Sequence, residues 1–403
     1  MFLTHLSLTN FRNFSRLDVD APRGPVLMVG DNAQGKTSLL EAIYFLATLV
    51  SFHASSERQL INFLAARDPV AVARVVGDFN SGDAQHRIEV RIIQEPNGSN
   101  GSSQLRKEAL LDGVKQKVSD VVGRFNAVMF LPQMLRVIEG APEERRRYLN
   151  LALGQVTPDY SAALADYARS LTQRNALLKL LNERGGDPAQ LDYWDAQLAA
   201  SGALLIHARI RAIQELEILA ARTLRELTRG SEVLRLSYYP AYDPLPSPTA
   251  QIILPLDSPV DRSRISMEQI HRGFLESLLR LRAEEIARGV TTIGPHRDEL
   301  RFLSNGVDLG VYGSRGQVRT VMLALKLAEV TWMKEKTGHW PVLLLDEVLA
   351  ELDTQRRVDL LARLDESEQS LLTTTDLDLF TPDFIHRATQ WCIQSGRLLE
   401  IRK

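Results

Sequence analysis

Hydrophobic positions along the chain follow two periods, and the changes of period divide the sequence. Residues 2–8 and 17–20 alternate apolar and polar, the pattern of half-buried strands. Residues 26–29 form a short unbroken apolar run, the pattern of a strand covered on both faces. From Lys36 the apolar residues recur at helical spacing to Leu46. Two alternating strands ahead of 26–29 predict that this strand is not the first of its sheet. Residues 70–79 and 86–93 read as strands, 95–103 as a flexible hairpin loop, and 110–114 as a return strand and turn. From Pro142 the period becomes helical over 143–153, 160–183 and 191–228, with breaks at Pro158 and at 185–188. Residues 234–239 read as a strand. The stretch 240–264 holds six prolines and reads as an irregular connection. Residues 267–288 are helical again, and from Thr291 strands and helices alternate.

The strands on either side of the helical block must share a sheet with 26–29. The expected fold is therefore α/β, a head with a mixed sheet and an antiparallel β layer, interrupted by a mainly helical second lobe. Its expected parts are 1–140, 141–290 and 291–403. A formal charge of −2 excludes a global basic field, so any nucleic-acid surface must be a local patch. The single cysteine, Cys392, excludes an internal disulfide and suits a reducing cytoplasm. The first residues lack the basic start and apolar core of a secretory signal. No apolar run approaches the ~18 residues of a membrane span, so a cytoplasmic protein with no membrane partner is expected.

The break after residue 29 carries chemistry. Gly30-Asp31-Asn32-Ala33-Gln34-Gly35-Lys36-Thr37 fits the phosphate-binding loop, and Ser38 continues it into the helix. The glycines let backbone N–H groups curl around a polyphosphate, toward which the helix's positive end points. Lys36 would neutralise the β- and γ-phosphates, and the Thr37 hydroxyl would ligate Mg²⁺. The loop lies between a strand and a helix, the context the motif requires. It points to a bound nucleoside triphosphate.

A second signature begins at Pro341. Residues 342–345 are a buried-strand pattern ending in Asp346 and Glu347. A carboxylate at the end of a strand next to the phosphate-loop strand is where Mg²⁺ is held, a role assigned to Asp346. Glu347 is placed to orient or deprotonate the attacking water. Upstream, Ser314-Arg315-Gly316-Gln317 opens an apolar helix, either as a second anion site or as a helix capped by Ser314.

Phosphate loop, Ser-x-Gly-Gln helix start and Asp-Glu strand stand in an order that resembles ABC-type ATPases. The resemblance implies that Ser314, Gly316 and Gln317 of one subunit complete the γ-phosphate site of a second. It also implies a homodimer, with Asp353 in a D-loop facing the partner. Transport, translation and DNA repair remain open at this point. Asn10-Phe11-Arg12-Asn13-Phe14 resembles the N-terminal motif of the RecF/SMC/Rad50 group. Phe130-Leu131-Pro132-Gln133, running on to 143–149, resembles the segment that leaves the ATPase lobe there. Residues 292–300, Thr-Ile-Gly-Pro-His-Arg-Asp-Glu-Leu, look like a motif of the RecF family.

That family resemblance implies an ATP-dependent DNA-binding clamp in recombinational repair. It would dimerise on ATP at double-stranded or gapped DNA, load recombinase with RecO and RecR, and reset on hydrolysis. Turnover would be weak and DNA-stimulated. Arg12 would face the nucleotide, and Gln133 would be the Q-loop residue. Two departures stand out. The family usually has an arginine after Ser-Phe, where this chain has His53, so a DNA-coupled basic contact would weaken or shift to Arg58. Most ABC ATPases also end the next strand with a histidine, where Thr375 or Asp376 would have to substitute.

Duplex binding needs several cations on one face. Arg145, Arg146 and Arg147, with Arg169, Arg174 and Lys179, are the candidates, and no base-reading motif accompanies them. Two alternatives to the clamp are the ATPase subunit of an ABC transporter and a short SMC-like structural head.

Overall fold

A computed structural model of the chain describes residues 1–97, 102–245 and 260–402. The tip of the expected loop at 95–103 and most of the proline-rich connection lie outside them. The chain begins with β1 (Phe2–Phe11), β2 (Phe14–Asp20), β3 (Gly24–Val29) and α1 (Lys36–Thr48). Then follow β4 (Ala71–Ser81), β5 (Ala84–Asn97), β6 (Ser102–Leu111), β7 (Val114–Gln116), α2 (Val118–Val121) and β8 (Ala127–Phe130). The helical block holds α3 (Arg136–Glu139), α4 (Pro142–Val156), α5 (Tyr160–Arg184), α6 (Asp192–Leu227), β9 (Leu234–Tyr239) and α7 (Met267–Arg288). Next come β10 (Glu299–Ser304), β11 (Val307–Asp308), α8 (Leu309–Tyr312) and α9 (Arg315–Thr337). The chain ends with β12 (Val342–Asp346), α10 (Thr354–Leu364), β13 (Gln369–Thr374), α11 (Pro382–Arg387), β14 (Thr389–Gln394) and β15 (Arg397–Arg402). It divides into two compact units, Met1–Met134 with Glu329–Lys403, and Leu135–Ala328.

The first unit holds two six-stranded sheets. One, in the order β2-β1-β4-β5-β6-β7, is antiparallel throughout. The other runs β15-β14-β3-β13-β12-β8, with β14, β3, β13, β12 and β8 parallel. β3 is thus the first strand of its sheet in chain order, contrary to expectation. The reason is periodicity. β1 and β2 alternate and pair in a sheet with one polar face, whereas the unbroken runs of β3 and β12 suit a sheet covered on both. α1 touches both sheets, and Leu39 to Thr48 are all buried. A helix without a polar face must lie inside the core. Phe45, 1% exposed in it, would cost roughly 3–5 kcal/mol to truncate to alanine.

The second unit packs α5, α6 and α7 together and carries a three-stranded antiparallel sheet, β11-β10-β9. β10, expected to join the sheet of β3, pairs with β9 instead. Buried ion pairs tie this unit together. Arg174, fully buried, meets Asp195 at 2.6 Å and Glu285 at 2.7 Å, and donates to Thr291 Oγ1 at 2.8 Å. Arg209 meets Asp298 at 2.7 Å, and Tyr238 donates to the same carboxylate at 2.5 Å. Tyr167 Oη lies 2.7 Å from His296 Nδ1. The segment 291–299 is therefore held from α5, α6 and β9 at once.

Candidate nucleotide site

Residues 30–35 turn from β3 into α1, and the two glycines are required for different reasons. A Cβ on Gly30 would run into the carbonyl of Ile393 on the neighbouring β14. Gly35 adopts φ +114° and lies against Asn13 and Phe14. No side chain caps α1, so its first N–H groups and the positive end of its dipole face the loop. Lys36, 4% exposed, donates to the carbonyls of Gly30 at 2.6 Å and Asp31 at 3.1 Å. Its Nζ lies 3.5 Å from the Glu347 carboxylate. The loop opens on a cleft of ≈ 500 Å³ lined by residues 31–38 with Asn13, His53, Pro132, Gln133, Asp346 and Glu347.

Asp346 ends β12, all five residues of which are buried. β13 intervenes between β3 and β12, so the acid comes from one strand further away than expected. Thr37 Oγ1 nevertheless lies 2.9 Å from both of its oxygens. Thr373 Oγ1 donates to Asp346 Oδ1 at 2.7 Å and accepts the Glu347 N–H at 2.9 Å. Burial pushes the Asp346 carboxyl pKa up, against the two hydroxyl donors, and the adjacent Glu347 adds to the rise. A cation at this point would relieve that cost. One carboxylate and one hydroxyl are a small ligand set, and no cluster of three or more His, Cys, Asp or Glu suits a metal among the described residues. Such a set fits Mg²⁺, which completes its shell with phosphate oxygens and water. Glu347 has φ +52° and is 41% exposed, which keeps its carboxylate at the cleft and open to water.

Three expectations are corrected. Arg12 does not line the cleft. Its guanidinium is bound by Glu41 of α1 through Nε and Nη2, each at 2.7 Å, and by the Gln59 carbonyl at 3.0 Å. Glu41 is buried and also accepts from Ser51 Oγ, so Arg12 is spent on neutralising an interior acid and fixing the chain after α1. Asn13, the next residue, faces the cleft in its place. Thr375 and Asp376 also stay outside the cleft. The Asp376 carboxylate caps a short turn through Asp378 N, and Thr373 makes the inner contact instead. Arg145 and Arg174, proposed as a DNA surface, point inward. Arg145 is 11% exposed and held by Glu299 at 2.6 Å and 3.0 Å, and Arg174 is the buried ion-pair centre above. Arg146 bonds the Asp298 carbonyl and Glu143, while Arg147, Arg169 and Lys179 are exposed.

Gln133 lines the cleft. Asp353 caps α10, accepting from Arg356 N at 2.9 Å. In the second unit, Ser314 and Gln317 bond reciprocally at the start of α9, Gln317 N to Ser314 Oγ at 3.2 Å and Ser314 N to Gln317 Oε1 at 3.1 Å. This is a capping box. Gly316, in the same turn, has no described atom within 4 Å of where a Cβ would stand. The sequence reading missed Asn13, Thr373 and the cleft-facing place of His53. Asn13 stands inside a motif already noted, next to Arg12, whereas nothing local in a run of threonines marks Thr373.

Residues 2–382 match the model of the RecF/RecN/SMC N terminal domain. The DNA replication and repair protein RecF of Roseiflexus castenholzii is 40% identical over 410 residues, covering 99% of each chain. That of Lacticaseibacillus paracasei is 36% identical over 400 residues, again covering 99% of each. This chain belongs to the RecF family. Two solved structures agree in fold over nearly the whole length. The recombination mediator protein RecF with ATP, in the RecFOR pathway, aligns with TM-score 0.82 at 29% identity over 100% of this chain and 99% of that one. A second RecF structure of that pathway, described as RecF-ATPrS, aligns with TM-score 0.81 at 30% identity over 98% of this chain and 97% of that one. Family membership favours DNA repair over the transporter alternative. No described helix is long and apolar enough to cross a membrane.

Proposed function

We propose that this protein is an ATP-gated DNA clamp of recombinational repair, acting in the cytoplasm with RecO and RecR. The observation that carries the reading is one cleft holding Lys36, the Thr37–Asp346 pair and Glu347 around a phosphate loop. In this reading the loop N–H groups and Lys36 bind the phosphates of ATP. Thr37 and Asp346 would hold Mg²⁺, which would supply charge neutralisation at the phosphates. Glu347 orients and deprotonates water, and Gln133, which lines the cleft, senses the terminal phosphate.

The second half of the site comes from another copy of the chain. Gly316 supports this, because nothing among the described residues requires a glycine there and glycine weakens a helix. Its smallness therefore serves a partner, an anion brought close to the start of α9 between Ser314 and Gln317. In this reading Asp353, which caps α10, also faces the second copy. ATP then closes the dimer and slow hydrolysis reopens it, so the nucleotide acts as a switch more than as fuel. DNA is held through its phosphates by exposed cations such as Arg147 and Arg169, without base reading, at duplex or gapped sites.

The test is retention of duplex DNA on a filter with and without ATP, over a range of salt. ATP-dependent retention that falls steeply with salt is expected. Equal retention in both states, or none in either, would rule the clamp out.

A further inference from the structure

The apex of the phosphate loop is exposed at Ala33 and strained there. It holds Ala33 at φ +62° and Gly35 at φ +114°, on either side of Gln34. An alanine stays in the left-handed region only where its surroundings over-determine the backbone. Gln34 is where they do so. Asn13 Nδ2, in the turn between β1 and β2, donates to the Gln34 carbonyl at 3.1 Å. Gly396 N, in the turn between β14 and β15, donates to the same carbonyl at 2.9 Å. Ser395 N donates to Gln34 Oε1 at 2.7 Å. Within the loop, Gln34 Nε2 reaches the Asn32 carbonyl at 3.4 Å.

The β14–β15 turn is shaped for this approach. Ser395 and Gly396 have φ +50° and +69°, the geometry of a tight two-residue hairpin. A Cβ on Gly396 would run into the carbonyl of Asn13 and crowd its side chain. Gly396 is therefore needed both for its φ and for the close packing of three chain segments that are distant in sequence.

We infer that the Ser395–Gly396 turn is a positioning element of the nucleotide site, holding the loop apex in its phosphate-wrapping conformation. The inference rests on the ATP reading above and adds the C-terminal hairpin to that site. Two consequences separate it from a merely structural role. The anchor acts on the loop apex and not on Glu347, so loosening it weakens ATP and ADP alike while turnover at saturation survives. Coupling is also reciprocal, so bound nucleotide must hold the hairpin turn in return, although neither Ser395 nor Gly396 lines the cleft.

Hydrogen exchange on the full-length protein with Mg²⁺ and ATP or ADP tests the second consequence without any variant. Slower exchange at the Ser395 and Gly396 amides is expected with either nucleotide. Steady-state hydrolysis by Gly396→Ala tests the first, with KM for ATP rising about ten-fold, the scale of one lost hydrogen-bonded anchor, and kcat unchanged. Unchanged exchange at the turn in protein that binds ATP overturns the inference, as does an unaltered KM in folded Gly396→Ala. Wild-type protein that binds no ATP would instead remove the nucleotide reading on which both rest.

Discussion

Thr37 Oγ1 stands 2.9 Å from each carboxylate oxygen of Asp346, although 309 residues separate the two in sequence. The contact joins the start of α1 to the end of β12 across an intervening strand. It also places a hydroxyl and a desolvated acid at one point of the cleft, where Mg²⁺ would sit. Asp346→Asn keeps a group that can still accept from Thr37 and Thr373, so the fold should survive. The charge is lost, and with it the Mg²⁺-dependent part of ATP binding. Thermal stabilisation by ATP with Mg²⁺ measures this directly. A ligand at 100 times its Kd contributes about 2.7 kcal/mol, and most of that should vanish in the variant. An undiminished Mg²⁺-dependent shift would exclude Asp346 as a ligand.

Glu347 differs from its neighbour in being open to water and in facing Lys36 at 3.5 Å. Glu347→Gln should leave ATP binding intact and slow hydrolysis by about 10²–10⁴-fold, the usual scale of general-base loss. Single-turnover hydrolysis and filter retention of DNA report the two halves of this expectation. DNA should be held for longer, because the closed dimer no longer resets. Hydrolysis at the wild-type rate would assign the base elsewhere.

These two acids were legible in the sequence because a strand pattern and a motif spacing are local. The helices of the second unit were legible for the same reason, their periodicity lying within each segment. What stayed hidden depends on partners distant in sequence. Arg12 and Arg174 each look like a free cation when read along the chain. One is claimed by Glu41 and the other by Asp195 and Glu285, and no spacing rule announces such pairs. β10 was assigned to the wrong sheet because alternation specifies a half-buried strand and not its neighbour. Gln34 is part of the motif itself, yet its anchor comes from the far end of the chain.

The inward turn of Arg174 gives a prediction that separates packing from DNA binding. Arg174→Ala leaves Asp195 and Glu285 short of a partner inside the second unit, a loss of about 3–5 kcal/mol for a broken buried pair. Arg169, exposed on the same helix, should change stability by less than about 0.5 kcal/mol when replaced by alanine. Urea denaturation distinguishes them. The salt slope of DNA binding should respond to Arg169→Ala and not to the folded fraction of Arg174→Ala. Equal stability of the two variants would contradict the buried network.

His296 gives the second unit a dependence on pH. Burial lowers its pKa to about 4, Arg297 and Arg146 add to the fall, and the Thr291 carbonyl and Asp298 oppose it. The Thr291 carbonyl can only accept, so the ring proton sits on Nε2 and the Tyr167 hydroxyl, kept protonated by burial, donates to Nδ1. The imidazole is thus a neutral packing group and not a catalytic base. Its folded pKa lies below the unfolded value near 6.5. The stability it contributes is therefore complete above pH 6.5 and is lost as pH falls toward 4. The full loss approaches about 3 kcal/mol. His296→Gln should flatten that part of the stability profile, measured by urea denaturation from pH 7 to pH 4. Identical slopes in the two proteins would show that His296 is not the group responsible.

Gly316 allows the proposed dimer to be tested without damaging the monomer. Among the described residues nothing occupies the space of its missing Cβ, and the residue lies in the first turn of a 23-residue helix. Gly316→Ala should leave the isolated chain as stable or up to about 1 kcal/mol more stable, since alanine is the better helix former. If α9 starts against the nucleotide of a second copy, the added methyl group meets that phosphate instead. ATP-dependent dimerisation, followed by light scattering, should then weaken while ATP binding by the monomer is preserved. Ser314→Arg should abolish it, because a long cation displaces the capping hydroxyl from the helix start. A destabilised Gly316→Ala monomer would reveal a contact inside the chain. Normal dimers from both variants would take the start of α9 out of the second nucleotide half-site.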